Sequence, residues 1–196
     1  MESKRLAVRR TQSLLSFADR SLPKYWTREE AGKIIEATDK PRDRLIMAIM
    51  YQTGARVSEL LMITPKDVDF HASVIRIPTL KRKTLHLRVV PLTSKLLGDI
   101  AKYIAMVKPE ENKPLFKIKR IRVFQIVREV SKKAGLFDDR SHPHTFRHSF
   151  AIQCVLSGVP TLILNEWLGH ANVENTLIYT KVLASDSRSF YENVDF

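Results

Sequence analysis

The sequence predicts a mainly α-helical fold carrying one small antiparallel sheet of three strands. Between residues 67 and 91 the apolar side chains shorten their spacing to that of strands. They fall at Val68, Phe70, Val74, Ile75 and Ile77, then at Leu85, Leu87, Val89 and Val90. On both sides of this stretch, apolar residues recur at helical spacing between recognisable start and stop signals. The chain of 196 residues, 44% apolar and 28% charged, is long enough for one sizeable core and has an ordinary globular composition.

Taken in order, residues 1–24 are basic and weakly periodic, and read as a linker or arm with a short helix through Leu14 to Phe17. A folded unit then spans residues 25–180. Thr27 and Glu30 form a capping box, with Trp26 placed to staple onto the first turn of a helix reaching about Ala37. A second helix follows Pro41 and carries the apolar run Leu45 to Tyr51, and Gly54 stops it. A short helix is expected from Arg56 to about Ile63, ahead of Thr64-Pro65. The strands come next, with Thr79 to Thr84 as the basic tip of a hairpin. Beyond Pro91 the reading is helical: Ser94 to Met106, Arg120 to Ala134 and Pro143 to Leu156, with Gly135 and Gly158 ending two of these. Shorter helices are expected over Leu162–Leu168 and Val173–Thr180, and residues 181–196 form a tail.

The charge balance narrows function. With 33 Lys+Arg against 21 Asp+Glu the formal charge is +12, which favours a polyanionic partner, most commonly nucleic acid. Cys154 is the only cysteine, so no intrachain disulfide forms; its apolar surroundings predict a buried, inert thiol, in keeping with a reducing cytoplasm. The Leu45–Tyr51 run is far too short to cross a bilayer, and the basic N-terminus lacks the apolar run of a signal peptide.

Six residues carry the chemistry: Arg56, Lys83, His144, Arg147, His170 and Tyr179. A phosphodiester undergoing exchange develops charge on its non-bridging oxygens. The planar fork of arginine matches such oxygens and stays charged at any working pH. Arg56 and Arg147, from opposite halves of the chain, can clamp one phosphate without a metal ion, although Arg56 could equally pair with Glu59 one turn on. Tyr179 is the candidate nucleophile. Its ordinary pKa leaves about one phenolate in a thousand at neutral pH, so it needs nearby cations and a proton acceptor. His144 is expected to accept or donate that proton, and His170, after Leu168-Gly169, to hydrogen-bond the phosphate. A lysine on the mobile hairpin tip, Lys83 or Lys81, can protonate the leaving oxygen. The spacing of His142, His144 and His148 allows a metal site, but no cysteine pair or carboxylate cluster accompanies them and Arg147 would repel a cation. His148 is expected to pack against a neighbouring helix. The hairpin residues Lys81 and Arg82, with Lys119, Arg120, Arg122 and Arg128 of the following helical stretch, are candidate DNA contacts.

The order Thr53-Gly54-Ala55-Arg56-Val57-Ser58-Glu59-Leu60, His144-Thr145-Phe146-Arg147-His148, Leu168-Gly169-His170 and Tyr179 resembles the tyrosine recombinases, or phage-integrase family, from about Trp26 to Tyr179. The resemblance implies that family's catalytic-domain fold and the six residues above as its catalytic set. It favours Lys83 over Lys81, because the family's lysine lies a similar distance before a Val-Pro-Leu segment, here Val90-Pro91-Leu92. It implies attack by Tyr179 to give a 3′-phosphotyrosyl link and a free 5′-hydroxyl, with no cofactor, metal or ATP. It further implies double-stranded DNA as partner, a homotetramer on two duplexes linked by exchange of the segment after Tyr179, and accessory DNA-bending proteins as candidate partners. Residues 1–24 are too short for the N-terminal helical domain of most members, so the chain reads as a compact member or a piece of a longer protein. Two other functions share parts of this pattern: a type IB topoisomerase-like relaxing enzyme, and a DNA-binding regulator of recombination that does not cut.

Overall fold

The computed structural model describes residues 22–81 and 84–185. Helix α1, Arg28–Glu36, starts at the expected capping box: the Glu30 amide donates to Thr27 Oγ1 (3.2 Å) and the Thr27 amide to Glu30 Oε2 (2.9 Å). Trp26 is buried beside it, its amide donating to Ser149 Oγ at 2.7 Å. The Arg140 guanidinium covers the indole at 4.1 Å and donates to Glu30 Oε2 at 3.0 Å, which fixes where the chain enters the fold.

Helix α2, Pro41–Thr53, runs through the centre, and every residue from Leu45 to Met50 is buried. That explains a run with almost no polar face: a helix packed on all sides presents none to water. Gly54 ends it with φ of 63°. Helix α3 covers only Val57–Leu60, shorter than the expected Arg56 to Ile63. The chain before Pro65 tightens into i→i−3 bonds, from the Met62 amide to Glu59 O and from the Ile63 amide to Leu60 O.

The sheet has the order β1-β2-β3, all antiparallel, with β1 Val68–Asp69, β2 Val74–Lys81 and β3 Thr84–Pro91. Pairing between β2 and β3 runs further than expected, from Val74↔Pro91 to Lys81↔Thr84. Pro78 is tolerated within β2 because β1 pairs only with Val74 and Ile75, so no strand needs its missing N–H on that edge. Arg88 and Val90 of β3 point inward, whereas Leu87 (55% exposed) and Val89 point outward. A cation therefore occupies the buried face and two aliphatic residues the open one.

Helices α4, Ser94–Val107, and α5, Arg120–Lys133, each lay one apolar stripe on the core around α2. Helix α6, Pro143–Leu156, joins two apolar clusters. Phe146 belongs to the cluster around α2; Phe150, Ala151, Ile152 and Val155 belong to a second one. Helices α7, Thr161–Leu168, and α8, Glu174–Thr180, complete the second with Leu164, Leu168 and Tyr179, and a 3-10 turn follows over Lys181–Ser185. Cys154 is half-buried there, and burial pushes its thiol up to about 12, leaving it unreactive. Among the described residues no helix is long and apolar enough to cross a membrane.

Candidate active site

Five of the six singled-out residues meet in one cleft, where the turn before α3, the start of α6, the end of α7 and α8 converge. The cleft has a volume of about 400 Å³ and is walled by Arg56, His144, Arg147, His170 and Tyr179, with His148 among them. A smaller hollow of about 70 Å³ shares Arg56, His144 and Arg147 and extends to Arg120 and Phe124. Lys83 and Arg82 lie outside the described residues; Lys81 closes the strand pairing just before them.

Arg147 sits inside this wall at 3% exposure. Its Nη1 donates to Gly54 O at 2.5 Å and its Nη2 to Leu168 O at 2.6 Å. These carbonyls end α2 and α7, where helix carbonyls lack intrahelical partners and the helix dipole favours a cation. Gly54 is required beside it, since a Cβ there would lie 2.6 Å from Phe150 Cδ1 and 2.9 Å from Leu168 Cδ2. Among the described residues Arg147 forms no ion pair. Burial, and then the charge of Arg56, bring its pKa down to about 9. The site therefore holds a desolvated cation without an ion-pair partner among the described residues, with Glu59 close enough only to oppose the shift.

Arg56 does pair with Glu59, Nη1 to Oε1 at 2.8 Å, while its backbone N–H donates to Oε2 at 2.8 Å. Pairing does not withdraw it from the cleft, which it still lines at 34% side-chain exposure. Glu59, 3% exposed, also accepts from Arg88 Nη2 at 2.7 Å and from the Thr79 hydroxyl at 3.2 Å. Burial opposes its ionisation, but the bonds and charges of Arg88 and Arg56 outweigh burial and hold the carboxyl below its ordinary value. Arg88 further donates from Nε to Trp167 O at 2.6 Å and from Nη1 to the Thr79 hydroxyl. Adjacent carbonyls at the end of α7, Trp167 and Leu168, thus receive arginines from β3 and α6. The network joins the hairpin, Arg56 and the turn that presents His170.

The histidines divide. His144 is exposed to both hollows, its pKa lowered by partial burial and by Arg147. Across the turn at Gly169, His170 Nδ1 lies 2.9 Å from Thr176 Oγ1, whose hydroxyl donates to Asn165 Oδ1 at 2.9 Å. The Thr176 oxygen therefore accepts from His170 Nδ1–H, and Nε2 carries the lone pair. Burial, then Arg147 and Arg56, push His170 down to about 4. His148, expected to pack against a neighbouring helix, meets α8 and places Nδ1 2.9 Å from the Tyr179 hydroxyl. Burial, then His144 and Arg147, take it to about 4 as well. Tyr179 is 3% exposed; burial raises its pKa against the pull of Arg147 and Arg56. The His142 ring lies 3.3 Å from Thr145 Oγ1.

The remaining basic candidates lie on or beside α5. Lys119 is its exposed N-cap, and Arg120 stacks over Phe124 at 5.6 Å beside the smaller hollow. Arg122 is engaged by Glu129 through two bonds of 2.7 and 3.0 Å, and Arg128 stacks on Phe137 at 5.5 Å.

The sequence pattern of the phage integrase family matches residues 24–186, a span that contains the whole cleft. The chain belongs to the phage integrase family. Tyrosine recombinase XerA of Pyrococcus horikoshii is 36% identical over 183 residues, covering 88% of this chain and 62% of the relative. A tyrosine recombinase of Pseudothermotoga lettingae is 35% identical, covering 84% of this chain and 58% of the relative. The chain thus spans less than two thirds of the length of these family members. Among solved structures, a XerA recombinase superposes with a TM-score of 0.76 at 27% identity, over 89% of this chain and 67% of that one. The catalytic domain of bacteriophage HP1 integrase superposes at 0.65 with 24% identity, over 87% of this chain and 94% of that domain. The fold is accordingly that of the family's catalytic domain.

Sequence reasoning passed over Arg88 and Thr176 in this family site; it named Glu59 only as a partner for Arg56 and His148 only as a packing residue. Arg88 left a trace, a cation flanked by Leu87 and Val89 in a strand, and His148 directly follows Arg147; neither trace names a partner.

Proposed function

We propose that this chain is the catalytic domain of a site-specific DNA recombinase, with Tyr179 as nucleophile. The observation that carries this reading is Arg147, a buried cation anchored by two main-chain carbonyls and lacking an ion pair among the described residues, in the same cleft as a tyrosine hydroxyl. A phosphate diester supplies the missing anion. Arg147 and the free part of the Arg56 fork bind its non-bridging oxygens, with His144 and His170 beside them, and stabilise the charge gathered in the transition state. The Tyr179 oxygen attacks phosphorus, the bond from phosphorus to the 5′-oxygen breaks, and Lys83 on the hairpin tip protonates that oxygen. The 3′-phosphotyrosyl link conserves the bond, so a 5′-hydroxyl from another strand reverses the step and joins new partners. Relatives named tyrosine recombinases support strand exchange over relaxation alone. A solved XerH recombinase bound to its difH substrate, 25% identical with a TM-score of 0.72, supports duplex DNA as partner. Residues 25–180 serve as the catalytic unit, 1–24 as an arm, and 181–196 as the segment exchanged in a tetramer; bending proteins assist assembly.

The test is covalent trapping. The protein is incubated in EDTA with a pool of nicked duplexes of randomised sequence, and SDS-resistant adducts are compared between wild type and Tyr179→Phe. Adducts that require Tyr179 are expected, and their sequenced DNA reports the site. DNA binding without any adduct would favour the non-cutting regulator.

A further inference from the structure

We propose that His148, rather than His144, takes the proton from Tyr179 when the nucleophile attacks. The inference rests on the recombinase reading and assigns one step within it. His148 Nδ1 and Tyr179 Oη are 2.9 Å apart, within the reach a general base needs. The rings lie at 46° with centroids 5.9 Å apart, so the contact is edge-on through the ring nitrogen rather than a stack. At 3% exposure Tyr179 has little access to bulk water as an alternative acceptor. His144, one turn earlier on α6, sits 6.5 Å from the His148 ring and forms no hydrogen bond to Tyr179 among the described residues. It borders the smaller hollow beside Arg56 and Arg120, where it can face phosphate oxygens.

The proton count closes. The Oη–H bond breaks and an Nδ1–H bond forms; the Oη–P bond forms as P–O5′ breaks; the 5′-oxygen receives its proton from the hairpin lysine. On rejoining, the imidazolium returns its proton to Tyr179 as that oxygen leaves phosphorus. The cationic imidazolium forms beside His144 and Arg147 on its own helix, His142 at the N-cap of α6, Arg56 before α3, His170 after α7, and Glu174 and Tyr179 on α8. Burial first, and then the charge around it, keep His148 neutral in the free site; a phosphate offsets the charge, so the base gains proton affinity when substrate is present.

The experiment uses the full chain on the nicked duplexes selected above, made with either an ordinary 5′-oxygen or a 5′-bridging sulfur at the scissile phosphate. A thiolate leaves without a proton, so sulfur relieves loss of the general acid but not loss of the base. His148→Asn keeps a polar atom near Nδ1 but cannot hold the proton. It is expected to cleave about 10²–10⁴-fold more slowly than wild type at unchanged DNA affinity, with sulfur restoring nothing. Lys83→Ala is expected to recover on the sulfur substrate. If the asparagine variant melts early, His148→Gln answers the same question. Cleavage by His148→Asn within about threefold of wild type, or its rescue by sulfur, overturns the assignment and leaves the recombinase reading standing. A wild type giving no Tyr179-dependent adduct overturns that reading and this assignment together.

Discussion

Replacing Glu59 with glutamine removes the one carboxylate that two arginines of the site share. In the native chain its oxygens take the Arg56 amide, Arg56 Nη1 and Arg88 Nη2 at 2.7–2.8 Å, and only 3% of the residue is exposed. Arg56 can turn to water, being 34% exposed, but Arg88 at 8% cannot. The cost is that of leaving a buried cation without its anion, about 3–5 kcal/mol, and the glutamine oxygen that still accepts one bond places Glu59→Gln near 3. For a chain of this size that lowers the melting temperature by about 6–12 °C. Thermal unfolding followed by circular dichroism at pH 7 reads this directly. The sign with pH is fixed too. The carboxyl is held below its ordinary 4.5, so its contribution is complete above that pH and is lost as pH falls through the lower folded value. The gap between wild type and variant must therefore close in acid. Replacing both partners, Glu59→Leu with Arg88→Met, should recover much of the loss, since the uncompensated charge goes with its partner. A single variant that melts within about 2 °C of wild type would refute the reasoning, as would a gap that widens in acid.

Gly54→Ala forces a Cβ into Phe150 and Leu168 at a φ of 63°, and should cost about 3 kcal/mol in a urea titration, with an unchanged slope. Arg147→Lys keeps a charge but cannot reach Gly54 O, Leu168 O and a phosphate together; adduct formation should fall by about 10²–10³-fold with melting less affected than in Glu59→Gln. His148 and His170 lie near 4 in the folded protein, below the ordinary histidine value of about 6.5, so the unfolded chain binds more protons in between. Stability should fall steadily as pH drops from about 6.5 to about 4, and melts that are flat over that range would contradict it. Because His170 Nε2 carries a lone pair, donating to a phosphate requires a proton; calorimetry of DNA binding in buffers of different ionisation enthalpy should register net proton uptake near pH 6.

Most helices, the three-stranded sheet and the residue types suited to phosphate chemistry were legible from local pattern alone. Caps such as Thr27 with Glu30, stops such as Gly54, and the change of period after residue 67 act over a few residues, so local pattern reports them. Elsewhere local pattern was overruled. Leu87 and Val89 alternate as a buried strand face would, yet Arg88 faces inward, because Glu59, distant in sequence, lies there to neutralise it. Spacing likewise placed Tyr179 and the histidines in order without stating which of them touch. That His148 meets the tyrosine hydroxyl, and that Arg147 holds the ends of α2 and α7, depend on how α6, α7 and α8 pack around the second apolar cluster. Residue types set the chemistry available; the long-range packing of those helices decided which groups share it.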